Sequence, residues 1–331
     1  MKKYHLYGIG AALVDTEIEI SDQDLSELGV EKGLMTLVDA TRQQELLDKL
    51  SGHMVHASLA SGGSACNSII AAAYFGAKNY YSCKVARDEH GEFFMNDIKT
   101  AGVDADFSSE KSAGVTGKCL VLISPDAERS MNTHLGISET LSISELNEAA
   151  LSVSEYFYAE GYLVTSDTGR AAAIAGRQIA ERNGVKTALS FSDPGMVSFF
   201  RDGLADMLGD GVDLIFCNEA EALGWAQSES LDDAVLALKK IGKTFAITLG
   251  AKGALVFDGE QLHSIAGHKV NAIDTNGAGD MFAGAFLYAI THGHTFKEAG
   301  ELASLAAAEV VSQYGPRLAG PLHRELLARM A

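Results

Sequence analysis

Asp274-Thr275-Asn276-Gly277-Ala278-Gly279-Asp280 runs without a break into Met281-Phe282-Ala283-Gly284-Ala285-Phe286-Leu287. With the strand-like Lys269-Val270-Asn271-Ala272-Ile273 before it, the stretch predicts a strand, a glycine-rich turn and an apolar helix in succession. Glycines in such a turn let backbone N–H groups approach a ligand with no Cβ in the way. The helix start adds unpaired N–H donors and partial positive charge, so the turn suits an anion. Asp280 then stands at the mouth of that site. It either complements the helix dipole or serves as a base for a hydroxyl about to attack a phosphate.

The same strand–turn–helix grammar extends outward from about residue 50. Short apolar runs (Tyr156–Ala159, Lys186–Ser190, Leu214–Cys217, Thr244–Leu249, Ala254–Asp258) alternate with helical patterns (Asn67–Phe75, Thr168–Asn183, Leu231–Ile241, Gly279–Thr291, Phe296–Gln313). Alternation of this kind predicts an α/β fold, a doubly wound, mostly parallel sheet flanked by helices. Two stretches break the rhythm, residues 15–39 and 113–132, which run extended and carry turns such as Ser124-Pro125-Asp126. Neither is long enough for a domain. The reading is one α/β domain over 1–331 with a small inserted β-sheet lid formed by those two segments.

Composition narrows the function. A net charge of −18 over 331 residues argues against a nucleic-acid or anionic-membrane surface. It leaves a small phosphate ligand open, because phosphates are held locally by N–H groups, a metal and one or two basic residues. Cys66, Cys83, Cys119 and Cys217 form no C-x-x-C pair and read as reduced thiols of a cytoplasmic protein. Asp15, Glu17 and Glu19 stand where a signal peptide would be cleaved, so Gly8–Val14 reads as a first strand closed by Asp15. No apolar run reaches the roughly 18 residues that span a bilayer.

Four further motifs each carry two readings. Ser61-Gly62-Gly63-Ser64-Ala65-Cys66-Asn67 precedes a helix: Gly62 and Gly63 bring backbone close to a polyol and Asn67 binds a hydroxyl, or the pair is a plain turn capped by Asn67. Asn218-Glu219-Ala220-Glu221 is a capping box, or a holder of hydrated Mg²⁺ at a strand end. Thr248-Leu249-Gly250-Ala251-Lys252-Gly253 is a hairpin turn, or a loop touching a nucleotide. Asp15 is the first exposed residue after a strand, or the acceptor of two hydrogen bonds from a vicinal diol.

Competing phosphate motifs fail. Gly242-Lys243-Thr244 lacks a glycine at Ala237 and leads into a strand, and Gly8-x-Gly10 has Leu13 where a dinucleotide turn needs its third glycine. A dehydrogenase is thereby disfavoured. His53/His56 and His292/His294 have no metal-binding context and read as surface residues.

Taken in order, Asp15, Gly62-Gly63-x-x-x-Asn67, Asn218-x-x-Glu221, Thr248-x-Gly250-x-x-Gly253 and Asp274-Thr275-x-Gly277-Ala278-Gly279-Asp280 resemble the ribokinase (PfkB) family of ATP-dependent sugar and nucleoside kinases. The resemblance runs almost end to end, through Gly315-Pro316-Arg317. It implies a ribokinase-like fold with a β lid over the sugar site and ATP along the C-terminal half. Asp280 matches the family's catalytic base, and Gly277, Ala278 and Gly279 match its anion hole. Arg129 matches a lid-proximal basic residue that reaches the transferring phosphate. Asn218 and Glu221 match the Mg²⁺–phosphate region, Thr248, Gly250 and Gly253 the nucleotide contacts, and Asp15, Gly62, Gly63 and Asn67 the acceptor site. A monovalent cation such as K⁺ is implied near Asp274, although Pro316 replaces a commoner alanine there. The assemblies implied are a monomer or a lid-mediated homodimer.

Lys32–Asp39, Met131–Gly136, Glu160-Gly161-Tyr162-Leu163 and Ser304–Val310 look like bacterial adenosine-kinase-like members. The expected acceptor is therefore a nucleoside, with Met35, Leu135 and Tyr162 as the apolar slot for its base. A free sugar such as ribose or fructose is the alternative. A non-catalytic nucleotide sensor is a third reading, and it would leave Asp280 without a task.

Overall fold

The computed structural model describes residues 2–51, 60–109 and 111–330, which leaves His53 and His56 outside the described residues. The apolar runs assemble into an eight-stranded sheet: β1 (Tyr4–Ile9), β5 (Asn79–Ser82), β8 (Ser154–Glu160), β9 (Lys186–Ser190), β10 (Val212–Asn218), β11 (Gly242–Thr248), β12 (Gly253–Phe257) and β13 (Leu262–Ala266). Its order is β13-β12-β11-β10-β9-β8-β1-β5, parallel except where β12 and β13 add antiparallel at one edge. Both faces are buried, which is why the strands read as continuous apolar runs. Along β1, β8 and β10, Leu6, Tyr156 and Leu214 join one core, while Tyr7, Phe157 and Ile215 join the other. Helices Ser64–Phe75, Ala278–Thr291 and Phe296–Val310 cover the first face, and Asp167–Arg182, Glu219–Ala226 and Leu231–Leu238 cover the second.

A second, five-stranded sheet holds β2 (Leu13–Glu19), β3 (Met35–Leu37), β4 (Ala60–Gly62), β6 (Gly117–Ile123) and β7 (Arg129–His134), in the order β3-β7-β6-β2-β4. It draws on both irregular stretches expected to form a small sheet and on Ala60–Gly62 as well. Its outer face packs Ile18, Leu120 and Leu122, with Ile20 just past β2, against two short helices. Leu25 and Leu28 come from helix Asp22–Leu28, which takes the place of part of the extended run expected over 15–39, and Leu46 comes from helix Ala40–Lys49, with Leu50 at its end. The inner face turns Leu13, Cys119 and Val121 toward the main body.

Three local expectations are corrected. Lys269–Ile273 is not a strand. The N–H groups of Ile273 and Asp274 both donate to Val311 O, so this chain follows the end of helix Phe296–Val310 and adds nothing to the sheet edge. Asp15 does not close the first strand: β1 ends at Ile9, the chain crosses at Gly10–Ala12, and Asp15 sits inside β2 of the small sheet. Asn67 is not a helix cap. Gly63 is the cap, with φ +100°, and the helix starts at Ser64, placing Asn67 one turn inside. No helix among the described residues is long and apolar enough to cross a membrane. His292 and His294 are exposed, and all four cysteines are free.

Candidate active site

The glycine turn is built around a buried carboxylate. Asp274 accepts hydrogen bonds from Asn276 N at 2.8 Å and Gly315 N at 3.0 Å, which occupies both its oxygens and folds the turn back on itself. Gly277 caps the following helix with φ +73°, and a Cβ there would lie 2.5 Å from Pro316 Cβ. A Cβ on Gly279, by contrast, would meet no protein atom within 4 Å. Among the described residues the N–H groups of Gly277, Gly279 and Asp280 have no backbone partner. This is the donor set an anion needs.

Asp280, in the first turn of that helix, faces a second helix start. Ser64 Oγ donates to its Oδ1 at 2.6 Å and Asn67 Nδ2 to its Oδ2 at 3.1 Å. Burial pushes the carboxyl above its ordinary range, while these two donors, then Arg129 and Arg317, pull it back. Beyond lies Asp15, whose Oδ1 is buried with no partner. Burial first, then the Glu17 carboxylate, pushes Asp15 up to about 7. Gly62 backs directly onto it: a Cβ there would stand 2.1 Å from both carboxylate oxygens. Gly62 therefore shapes the site from behind, whereas Gly63 lines the cavity.

At the other end, Asn218 closes β10 and forms the capping box with Glu221. Glu221 N donates to Asn218 Oδ1 at 2.8 Å, Asn218 N to Glu221 Oε2 at 3.0 Å, and Asn218 Nδ2 to Glu221 Oε1 at 2.8 Å. Glu221 is buried and pushed up to about 8, chiefly by desolvation. A carboxylate in that condition favours a nearby cation. Thr248 ends β11, and Gly253, at φ +99°, presses so close to Ile265 O that a Cβ would lie 2.1 Å away. Arg129 reaches in from β7, half-buried and without an ion-pair partner among the described residues.

These ends belong to one cavity of about 820 Å³ between the two sheets. Asp15, Gly63, Asn67, Arg129, Asn218, Glu221, Thr248, Gly250, Gly253, Gly277, Ala278, Gly279 and Asp280 all line it, and so do Met35, Leu135 and Tyr162. Gly62 and Asp274 do not. Among the described residues no group of three or more His, Cys, Asp or Glu side chains is placed to hold a metal ion directly.

Three residues of the site had no assigned role in the sequence reading. Ser64 sits inside the Gly-Gly motif, where a serine is unremarkable. Glu160, at the end of β8, accepts from Ala11 N at 2.8 Å and Ala65 N at 2.7 Å, and burial pushes it up to about 7. Arg317 donates to Asn67, Asp97 and Ser61. Both lie in segments that carry the family likeness, Glu160-Gly161-Tyr162-Leu163 and Gly315-Pro316-Arg317, but neither segment announces these partners.

The chain matches the pfkB family carbohydrate kinases over residues 33–322. It superposes on a probable sugar kinase from Rhizobium etli with a TM-score of 0.94 and 31% identity, covering 100% of both chains. An adenosine kinase from Sinorhizobium meliloti gives 0.91 and 34%, covering 98% of this chain and 99% of that one. A curated adenosine kinase from Schizophyllum commune is 28% identical over 97% of this chain and 98% of its own length. The chain therefore belongs to the pfkB family of carbohydrate kinases and is a phosphotransferase with a hydroxyl acceptor.

Proposed function

We propose that this enzyme transfers the γ-phosphate of ATP to the primary 5′ hydroxyl of an adenosine-like nucleoside, with Asp280 as the general base. The observation that carries the reading is the position of Asp280. One cavity is lined by Asp280, by the turn whose Gly277 and Gly279 N–H groups have no backbone partner among the described residues, and by Asn67 and Asp15, with Asn67 Nδ2 on the Asp280 carboxylate. In the proposed step the acceptor hydroxyl gives its proton to Asp280 as its oxygen bonds to the γ-phosphorus. The bond from phosphorus to the β,γ-bridging oxygen breaks, and ADP leaves. Arg129 and the turn N–H groups meet the charge on the transferring phosphoryl, which is where phosphoryl transfer needs help.

The unpartnered Asp15 Oδ1 is a place for a ribose diol, since a carboxylate accepts from two vicinal hydroxyls. Met35, Leu135 and Tyr162 supply the apolar wall a base requires and a free sugar does not. Mg²⁺, when bound, supplies charge neutralisation at the phosphates. The buried Glu221, with Asn218, suits it through bound water, since both carboxylate oxygens are already engaged. Thr248, Gly250 and Gly253 border the nucleotide, and Asp274 contributes by shaping the turn. The small sheet acts as the lid. It is tied to the turn where Thr275 Oγ1 donates to Ala127 O at 2.9 Å and Asn276 Nδ2 to Glu17 Oε1 at 3.2 Å.

The test is a coupled ADP-release assay with adenosine, inosine, ribose and fructose under identical conditions. We expect the highest kcat/KM with a nucleoside, and a fall of roughly ten- to a hundredfold for its 2′- or 3′-deoxy analogue, the effect of losing one hydrogen bond to a buried carboxylate. A free sugar giving the highest value would overturn the nucleoside assignment and leave the phosphotransferase in place.

A further inference from the structure

We propose that Arg317 is a positioning residue that sets the orientation of the Asn67 amide and thereby presents an N–H, not an oxygen, to Asp280. Arg317 lies between helices Phe296–Val310 and Gly320–Met330, with its side chain only 13% exposed. Each of its three nitrogens donates once: Nε to Asn67 Oδ1 at 3.3 Å, one terminal nitrogen to Asp97 Oδ2 at 2.7 Å, the other to Ser61 Oγ at 2.8 Å. A guanidinium only donates, so the atom of Asn67 facing it must be the oxygen. The amide nitrogen is then turned the other way, onto Asp280 Oδ2 at 3.1 Å. A flipped amide would set N–H against N–H on one side and oxygen against carboxylate on the other.

The fork is itself held from outside the cavity. Asp97, on helix Glu89–Thr100, pairs with Arg317 and also accepts from Ser61 Oγ, tying the arginine to β4 next to Gly62. Asp97, Arg317, Asn67 and Asp280 thus form a chain of polar contacts from an outer helix to the carboxylate. Lysine cannot replace the fork, because its compact ammonium carries no planar set of donors. This inference rests on the proposed role of Asp280.

The experiment compares R317M, R317K, N67A and the double variant R317M/N67A in the full chain, measuring kcat, the KM for adenosine and for ATP, and Tm. We expect R317M to lower kcat about 10- to 100-fold with the KM for ATP unchanged. Added to N67A, it should cost little more, because both changes remove the same contact. R317K should fold and keep the Asp97 pair but, lacking the fork, leave kcat low, which covers the case of an R317M that does not fold. Full additivity of R317M and N67A would overturn the proposal. A crystal structure of R317M or R317K in which Asn67 Nδ2 keeps its bond to Asp280 would do the same. That structural arm decides Arg317's part even if the wild-type protein phosphorylates none of the acceptors, an outcome that would instead remove the assigned activity of Asp280.

Discussion

Ser64 Oγ donates to Asp280 Oδ1 across 2.6 Å, joining the first turns of two buried helices that are 216 residues apart in sequence. The contact opposes the rise that burial imposes on the Asp280 carboxyl. Removing it in Ser64→Ala should let that carboxyl climb further. A base must be deprotonated to act, so the acid limb of the kcat profile should move to higher pH, with a larger loss of turnover at acidic than at alkaline pH. A kcat–pH profile superimposable on the wild type would separate Ser64 from the base.

Asp280→Asn keeps the size and most of the packing but not the basicity. Turnover should fall at least ~10²-fold with acceptor binding roughly retained, read from kcat together with calorimetric binding of adenosine. Near-normal turnover would take Asp280 out of the proposed role.

Gly277 and Gly279 should fail differently when substituted. Gly279→Ala adds a methyl that meets no protein atom within 4 Å, so Tm should hold while kcat falls as the methyl enters the phosphate's space. Gly277→Ala forces a φ of +73° on an alanine and drives its Cβ into Pro316, so Tm should fall by several degrees. Equal Tm losses, or unchanged kinetics in Gly279→Ala, would make the turn merely structural.

Stability should decline as pH rises through neutrality. Burial raises Asp15 to about 7, Glu160 to about 7 and Glu221 to about 8. Each folded-state pKa exceeds its unfolded value, so the folded protein binds these protons more tightly. That stabilisation is complete below about pH 4 and is lost as pH climbs through about 7 to 8. Asp15→Asn should therefore flatten part of the fall in Tm between about pH 5 and 8 and raise Tm at the upper end, while weakening acceptor binding. A Tm–pH curve unchanged by Asp15→Asn would mean Asp15 is solvated, against its buried and unpartnered Oδ1.

Glu221→Gln tests whether that residue is more than a cap. Glutamine can still accept from Asn218 N, but its amide would then face Asn218 Nδ2, which now donates to Glu221 Oε1 at 2.8 Å. A small stability loss is expected on either reading. Only the proposed Mg²⁺ role predicts that half-maximal activity needs several-fold more Mg²⁺, and coincident titration curves would leave Glu221 a cap.

The sequence by itself determined the α/β class, the glycine turn leading into helix Ala278–Thr291, the capping box of Asn218 and Glu221, and the hairpin between β11 and β12. Each depends on interactions within a few residues, or on an apolar period that local burial dictates. It also marked both irregular stretches that pair into the second sheet. What it misplaced were features decided by distant partners. Asp15 belongs to β2 because the chain leaves the main sheet after Ile9 to pair with β6, residues 13–19 running alongside 117–123. Lys269–Ile273 has strand composition but hydrogen-bonds to Val311, at the end of a helix about 40 residues later. Glu160 and Arg317 fall in segments that carry the family likeness but leave both side chains without a role. Their roles come from buried donors and acceptors that must be satisfied, and which atoms satisfy them is settled only when tertiary packing brings the backbone at Ala11 and Ala65 to one and the side chains of Asp97 and Asn67 to the other.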